Sequence, residues 1–240
     1  MESVRGKVAF VTGGSRGIGR AIARALVAEG ANVAVTGLNS AHLSAARPSI
    51  EEAGPGSVET LQADVRRYDQ VERAVNATVA RFGGLDILIN NAGIGIFKSV
   101  AEMNPDEWAT VIETNLTGVF NACHAAIPHL RARGGGSIIN ISSLASRNAF
   151  VHAAAYCATK AGLNQFSEAL MQEVRYDGIR VSYVMPGSVA TEFNNRRAAD
   201  GADWKTSAED VADVVIGLLH SDPRSIPSRV EIRPAKPPRK

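Results

Sequence analysis

The sequence predicts an α/β protein: a three-layer, doubly wound parallel sheet of about seven strands with helices on both faces. Three observations carry that expectation. Short β-branched and apolar runs alternate along the chain with longer amphipathic stretches, as βαβ units require. The breaks between them fall on Gly and Pro, where helices and strands are expected to stop. A chain of 240 residues with 45% hydrophobic content also buries a core large enough to need no staples.

Residues 8–11 are an apolar, β-branched run ending in Thr12-Gly13 and read as the first strand. Residues 18–29 have helical periodicity and are closed by Gly30. A strand over 32–36 and a helix over 41–53 follow, and Gly54-Pro55-Gly56 ends that helix. The pattern repeats with a strand at 58–61, a helix at 68–82 stopped by Gly83-Gly84, and a strand at 86–89. Asn104 is a good N-cap and Pro105 suits the first helical position, so one long helix should start there and run to about Arg131, before Gly134-Gly135-Gly136. Strand, helix and strand return at 138–141, 153–176 and 180–184, until Met185-Pro186-Gly187 breaks the last. A helix over 208–220 and a strand over 230–232 complete the chain, with right-handed crossovers expected throughout. No composition break is wide enough for a linker, so 1–240 reads as one domain. Residues 191–207 form a short lid and 233–240 a loose tail.

Charge and composition exclude several function classes. The net charge is +2, the basic residues are scattered and aromatics make up 5%, so no nucleic-acid footprint is present. Residues 1–7 are polar and run straight into a strand, which is no signal peptide, and no apolar run approaches a membrane span. Cys123 and Cys157 fall in predicted helices and read as small buried hydrophobes in a reducing, cytoplasmic setting. The five histidines (42, 124, 129, 152 and 220) form no ligand spacing, so no metal is expected.

Two stretches carry chemistry. Thr12 to Gly19, reading Thr-Gly-Gly-Ser-Arg-Gly-Ile-Gly, lies between the first strand and first helix. Glycines there bring backbone N–H groups close to a pyrophosphate at a helix N-terminus. The second stretch runs from Ser143 to Lys160. Tyr156 and Lys160 are four apart in an Ala-rich helix and share a face. A lysine charge beside a phenol favours the phenolate and should lower its pKa, making Tyr156 a proton carrier near neutral pH. Ser143, just after a buried strand, offers a hydroxyl to the same substrate oxygen.

The pieces Thr12 to Gly19, Asn90-Asn91-Ala92-Gly93, Asn115, Ser143 with Tyr156-x-x-x-Lys160, and Pro186-Gly187 occur in an order that resembles the short-chain dehydrogenase/reductase family over essentially the whole length. The serine stands thirteen before the tyrosine (156 − 143 = 13), as that family's pattern asks; Ser142 is offset and reads as structural. The resemblance implies a Rossmann-type fold and hydride transfer between a nicotinamide and a carbonyl or secondary alcohol. It implies that Tyr156 is the acid/base and also a cofactor contact, Ser143 binds the substrate oxygen, and Lys160 holds the phenolate and the nicotinamide ribose. Asn115 would anchor a water that resupplies protons to Lys160. It further implies cofactor contacts from Gly13, Ser15, Arg16, Gly17, Ile18 and Gly19, from Leu38 and Asn39, from Asp64 (to the adenine amino group) and Val65, and from Asn91, Ala92 and Gly93. Pro186, Gly187, Val189 and Thr191 would meet the nicotinamide end. Asp64 also reads as an N-cap for the helix after it.

The second strand ends in Thr36-Gly37-Leu38-Asn39-Ser40, with no carboxylate for a ribose 2′-hydroxyl, and Arg16 can grip a 2′-phosphate, so NADP(H) is expected over NAD. In similar NADP-users a second basic residue often stands near position 38, where this chain has Leu38. Leu144, Ile94, Ile96, Phe150 and Phe193 read as apolar wall, with His152 between the serine and tyrosine. Residues 228–234 replace a glycine-rich strand end, and with the short lid this predicts an open cleft or one closed by a neighbouring chain. Relatives pair their two long helices, which here carry Ala122, Ala125, Ala126, Ala161 and Ala169, so a homotetramer, or else a dimer, is expected. A 3-oxoacyl-thioester reductase is the nearest alternative, and a non-catalytic nucleotide sensor is one from another class. Tyrosine, lysine and serine are all present, which weighs against the sensor.

Overall fold

Side-chain alternation along each strand decides how the layers stack. The computed structural model describes residues 3–195 and 199–238. In β1 (Val8–Val11), Val8 and Phe10 join one apolar cluster, and Ala9 and Val11 join the other. In β4 (Ile87–Asn90), Leu88 faces the first cluster and Ile87 and Ile89 the second. In β5 (Gly136–Ile141), Ile138 opposes Ile139 and Ile141 in the same way. Both sets are apolar because both faces of the sheet are covered, as a parallel sheet requires. One face is covered by α1 (Gly17–Ala28), α2 (Ser40–Glu51) and α7 (Ala208–Leu219), the other by α3 (Tyr68–Phe82), α5 (Gly118–Ala132) and α6 (Ala154–Val174).

With β2 (Asn32–Gly37), β3 (Val58–Gln62), β6 (Ile179–Pro186) and β7 (Arg229–Ile232), the strands form one parallel seven-stranded sheet, ordered β3-β2-β1-β4-β5-β6-β7. The chain leaves β1 towards β2 on one side and resumes at β4 on the other. The loops leaving β1 and β4 therefore diverge, and they open a crevice at the carboxyl ends of the strands.

The helix expected to run unbroken from Asn104 departs from the prediction. Asn104 and Glu107 form a reciprocal capping box at the start of α4 (Pro105–Ile112), but α4 joins α5 through a π-helical turn, Glu113–Thr117. One extra residue in that turn swings Asn115 inward, where it is fully buried. The polar run Thr114-Asn115-Leu116-Thr117 is tolerated in mid-helix because Asn115 has partners there. Its Oδ1 accepts the Ile94 N–H at 2.8 Å, and its Nδ2 donates to the Ile94 carbonyl at 2.9 Å and to Thr159 Oγ1 at 3.2 Å.

Two smaller expectations also shift. The N-cap of α3 is Arg67, without a side-chain bond; Asp64 is instead held by its neighbour Arg66. Cys123 is buried, but Cys157 is only partly so. The lid is pinned at its ends, where Ala190 N–H donates to the Thr206 carbonyl (2.9 Å) and Thr206 N–H to that of Ser188 (3.1 Å). Residues 196–198 of the lid and 239–240 of the tail lie outside the described residues.

Candidate active site

Every loop at the carboxyl edge of the sheet between β3 and β6 contributes to one cleft of about 650 Å³. Its far end is built from the loop after β1. Gly17 there takes φ +52°, a conformation that strains other residues, and its missing side chain lets Thr191 of the lid lie 3.4 Å from where a Cβ would sit. Gly13, Ser15, Arg16, Gly17 and Ile18 line the cleft. Gly19, expected to do the same, is buried behind the loop. A Cβ on it would run into the Asn91 amide and the Gly13 carbonyl, so Gly19 serves the packing of the turn. The open backbone of this loop, at the start of a 12-residue helix, fits a pyrophosphate.

The Arg16 side chain is exposed and, among the described residues, makes no hydrogen bond or ion pair, while its carbonyl accepts the Arg20 N–H at 3.3 Å. Leu38 and Asn39 flank it after β2, and Asn39 accepts the His42 N–H to cap α2 (3.1 Å). Leu38 is 64% exposed, an apolar side chain open to the cleft. Asp64 and Val65 line the next stretch. The guanidinium of Arg66 grips Asp64 bidentately, at 2.6 and 3.0 Å, and holds its carboxyl below the usual range. Asn91, Ala92 and Gly93 follow after β4. Asn91 donates to the carbonyls of Thr12 and Gly13, tying the two loops that flank the crevice.

At the near end, Ser143, Tyr156, Lys160, Pro186, Gly187, Val189 and Thr191 converge. Ser143 caps a 3-10 turn, Leu144–Ser146, by accepting the Ala145 N–H at 3.1 Å. Its hydroxyl also neighbours the Tyr156 phenol and favours the phenolate. Lys160 is buried, and its Nζ lies 5.8 Å from the centre of the Tyr156 ring and donates to the Ile141 carbonyl at 2.9 Å. The expected lowering of the tyrosine pKa is not what the geometry gives. Burial pushes the Tyr156 phenol up by more than the neighbouring Ser143 hydroxyl lowers it. Burial also pushes the Lys160 ammonium down, to about 8. The chain by itself therefore holds Tyr156 as a protonated phenol at neutral pH, the form that donates.

Asn115 does not reach the cleft. It stands behind Gly93, with Oδ1 3.3 Å from where a Cβ on Gly93 would sit, and the Lys160 Nζ is 3.7 Å from the same point. Ser142, read as structural, lines the cleft beside Ser143, with its hydroxyl engaged in donating to Asn164 Oδ1 at 2.6 Å. Of the apolar residues expected as wall, Ile94 and Phe193 line the cleft, while Ile96, Leu144, Phe150 and the exposed His152 do not. Arg66, His42, Thr110, Thr114 and Glu192 line it and escaped the sequence reading, as did Phe97, whose ring meets Tyr156 edge-on at 5.7 Å. The signal for Arg66 was available: it stands two residues past a carboxylate at a strand end. Among the described residues, no group of three His, Cys, Asp or Glu side chains could hold a metal ion.

Residues 7–202 match the profile of the short chain dehydrogenase family. The chain belongs to that family. It is an oxidoreductase that acts between CH–OH and carbonyl groups with a nicotinamide cofactor. It is 40% identical to 3beta-hydroxysteroid dehydrogenase 1 of Eggerthella lenta over 202 residues, covering 83% of this chain and 77% of that one. It is also 40% identical to a 3-oxoacyl-(acyl-carrier-protein) reductase of Chlamydia trachomatis over 188 residues, 78% and 75% of the two chains. Among solved structures, a metagenomic short-chain oxidoreductase in complex with NADP superposes with a TM-score of 0.85 at 37% identity, covering 98% of this chain and all of that one.

Proposed function

We propose that this dehydrogenase reduces a ketone or aldehyde with NADPH, and runs the reverse oxidation, with Tyr156 as its acid/base. The observation that carries the reading is the convergence of Ser143, Tyr156 and Lys160 at one end of a cleft whose other end is a glycine loop bearing an unpaired arginine. Bound there, the nicotinamide would supply hydride to the carbonyl carbon, leaving negative charge on the oxygen. Ser143 donates a hydrogen bond to that oxygen and Tyr156 gives it a proton. Lys160, buried and still protonated at neutral pH, steadies the phenolate left behind and reaches the nicotinamide ribose. Asn115 acts from behind by fixing Ile94 and Gly93, and the main chain opened by its π turn is where a proton-supplying water would be held.

At the other end, the 2′-phosphate of NADP(H) rests on Arg16, with no carboxylate at the end of β2 to oppose it. Asp64 and Val65 hold the adenine, and Gly187, Val189 and Thr191 the carboxamide. The NADP complex of the related metagenomic enzyme supports this cofactor. Assembly into a homotetramer, or a dimer, through α5 and α6 is supported by Phe120, half exposed and stacked on His124. Two unpaired thiols fit a cytoplasmic enzyme. The test is to follow oxidation of NADPH and of NADH over a panel of ketones and aldehydes. Turnover with NADPH well ahead of NADH is expected; equal use of both would refute the cofactor assignment.

A further inference from the structure

Resting on that reading of the site, we propose that its substrates are ketones, or the matching secondary alcohols, that carry a flat aromatic or fused-ring group beside the reacting carbon. The ring of Tyr156 is met by two phenylalanine rings from separate segments. Phe97, from the loop after β4, meets it edge-on with centroids 5.7 Å apart, and Phe193, from the lid, meets it at 5.8 Å and 53°. Beyond the cleft lining, Phe150 continues the aromatic row, its ring 5.7 Å from that of Phe97. Gly95 is the floor. A Cβ there would come within 2.8 Å of Phe97 Cζ and 3.2 Å of Phe193 Cε1, so only glycine lets both rings close on one point. Asn194, in the left-handed region at φ 59°, turns the chain directly after Phe193.

The wall remains open to a ligand. Phe150 is 52% exposed and Phe193 36%. Exposed rings beside a proton donor are covered when a planar apolar group slides between them, in edge-to-face or offset contact. Charge points the same way. Glu192, which lines the cleft, is paired with Arg20 at 3.8 Å, and the cations Lys98 and Arg147 are already tied to Glu107 and Glu231 at 2.5 and 2.7 Å. Among the described residues, the mouth therefore favours an uncharged aromatic ketone over the phosphate-bearing arm of a carrier-protein thioester.

The test compares tetralone, butanone and the N-acetylcysteamine thioester of 3-oxobutanoate with the NADPH-loaded enzyme, in the native chain and in Phe97→Leu, Phe97→Ala and Phe193→Ala. Native kcat/KM should be highest for tetralone, and the tetralone-to-butanone ratio should fall roughly tenfold in each variant through KM, the worth of one aromatic contact. Because the readout is a ratio within one protein, a general loss of fold or of proton transfer does not move it. Preference for butanone or the thioester, or a ratio unchanged in all three variants, overturns the proposal. If no carbonyl is reduced, calorimetric binding of tetralone to the NADPH-loaded protein upholds the slot while the proposed chemistry fails; no binding overturns the slot as well.

Discussion

Lys160 offers a prediction that does not depend on any substrate. Its ammonium is buried, and its pKa falls from 10.5 to about 8 on folding because burial penalises the charge. Below pH 8 both folded and unfolded chains hold the proton, and above 10.5 neither does. In between, the unfolded chain holds it and the folded one has lost it. The unfolded state then binds more protons, so stability rises with pH across that window. Integrating the two titrations from about pH 7.5 to pH 9 gives a gain on the order of 1 kcal/mol from this one residue. The buried thiol of Cys123, pushed up to about 12, works in the opposite direction and takes back less than half of that by pH 9. The net rise corresponds to a Tm higher by roughly 2 °C for a chain of this size. Lys160→Met keeps the length and removes the charge. It also strips the Ile141 carbonyl of its donor, so the variant's absolute stability is no guide. Its pH slope is: calorimetric unfolding of the variant should show Tm flat or falling from pH 7.5 to 9, while the native chain rises. Parallel profiles for the two proteins would refute the claim that Lys160 is desolvated.

Two further substitutions probe the ends of the site. Arg16→Ala should weaken NADPH binding roughly 10- to 100-fold, the worth of a charge-assisted pair, and leave NADH within a few-fold, as read by quenching of intrinsic fluorescence; equal losses for both would remove Arg16 from 2′-phosphate recognition. Asn115→Leu removes three hydrogen bonds, two of them to the backbone of Ile94, and should cost about 2–4 kcal/mol in urea unfolding. A cost under about 1 kcal/mol would mean that the π turn does not depend on that side chain.

Element order and layer assignment were legible in the sequence because the central strands alternate between two apolar faces and most of the helices are followed closely by glycine. The cofactor cleft was legible for the same reason: in a parallel sheet whatever follows a strand end shares one edge, so Asp64, Asn91 and Gly187 meet although they are far apart in the chain. Packing detail was not. Gly19 resembles its neighbours in the loop, and only the approach of Asn91 turns it into a packing residue. The π turn at Asn115 depends on Ile94 and Thr159, partners on other segments that helical periodicity does not reveal. The sign of the Tyr156 shift was missed because pair spacing shows the lysine but not the dryness around the phenol. Phe97 was passed over as one apolar residue in a loop, and its role is visible only beside Phe193 and Gly95.

The central claim is that Tyr156 hands its proton to the substrate oxygen, and Tyr156→Phe tests it with the loss of a single hydroxyl. With a carbonyl that the native enzyme reduces, the variant should bind NADPH with unchanged affinity while its turnover falls by about two to four powers of ten. Turnover within a few-fold of the native rate would contradict the account.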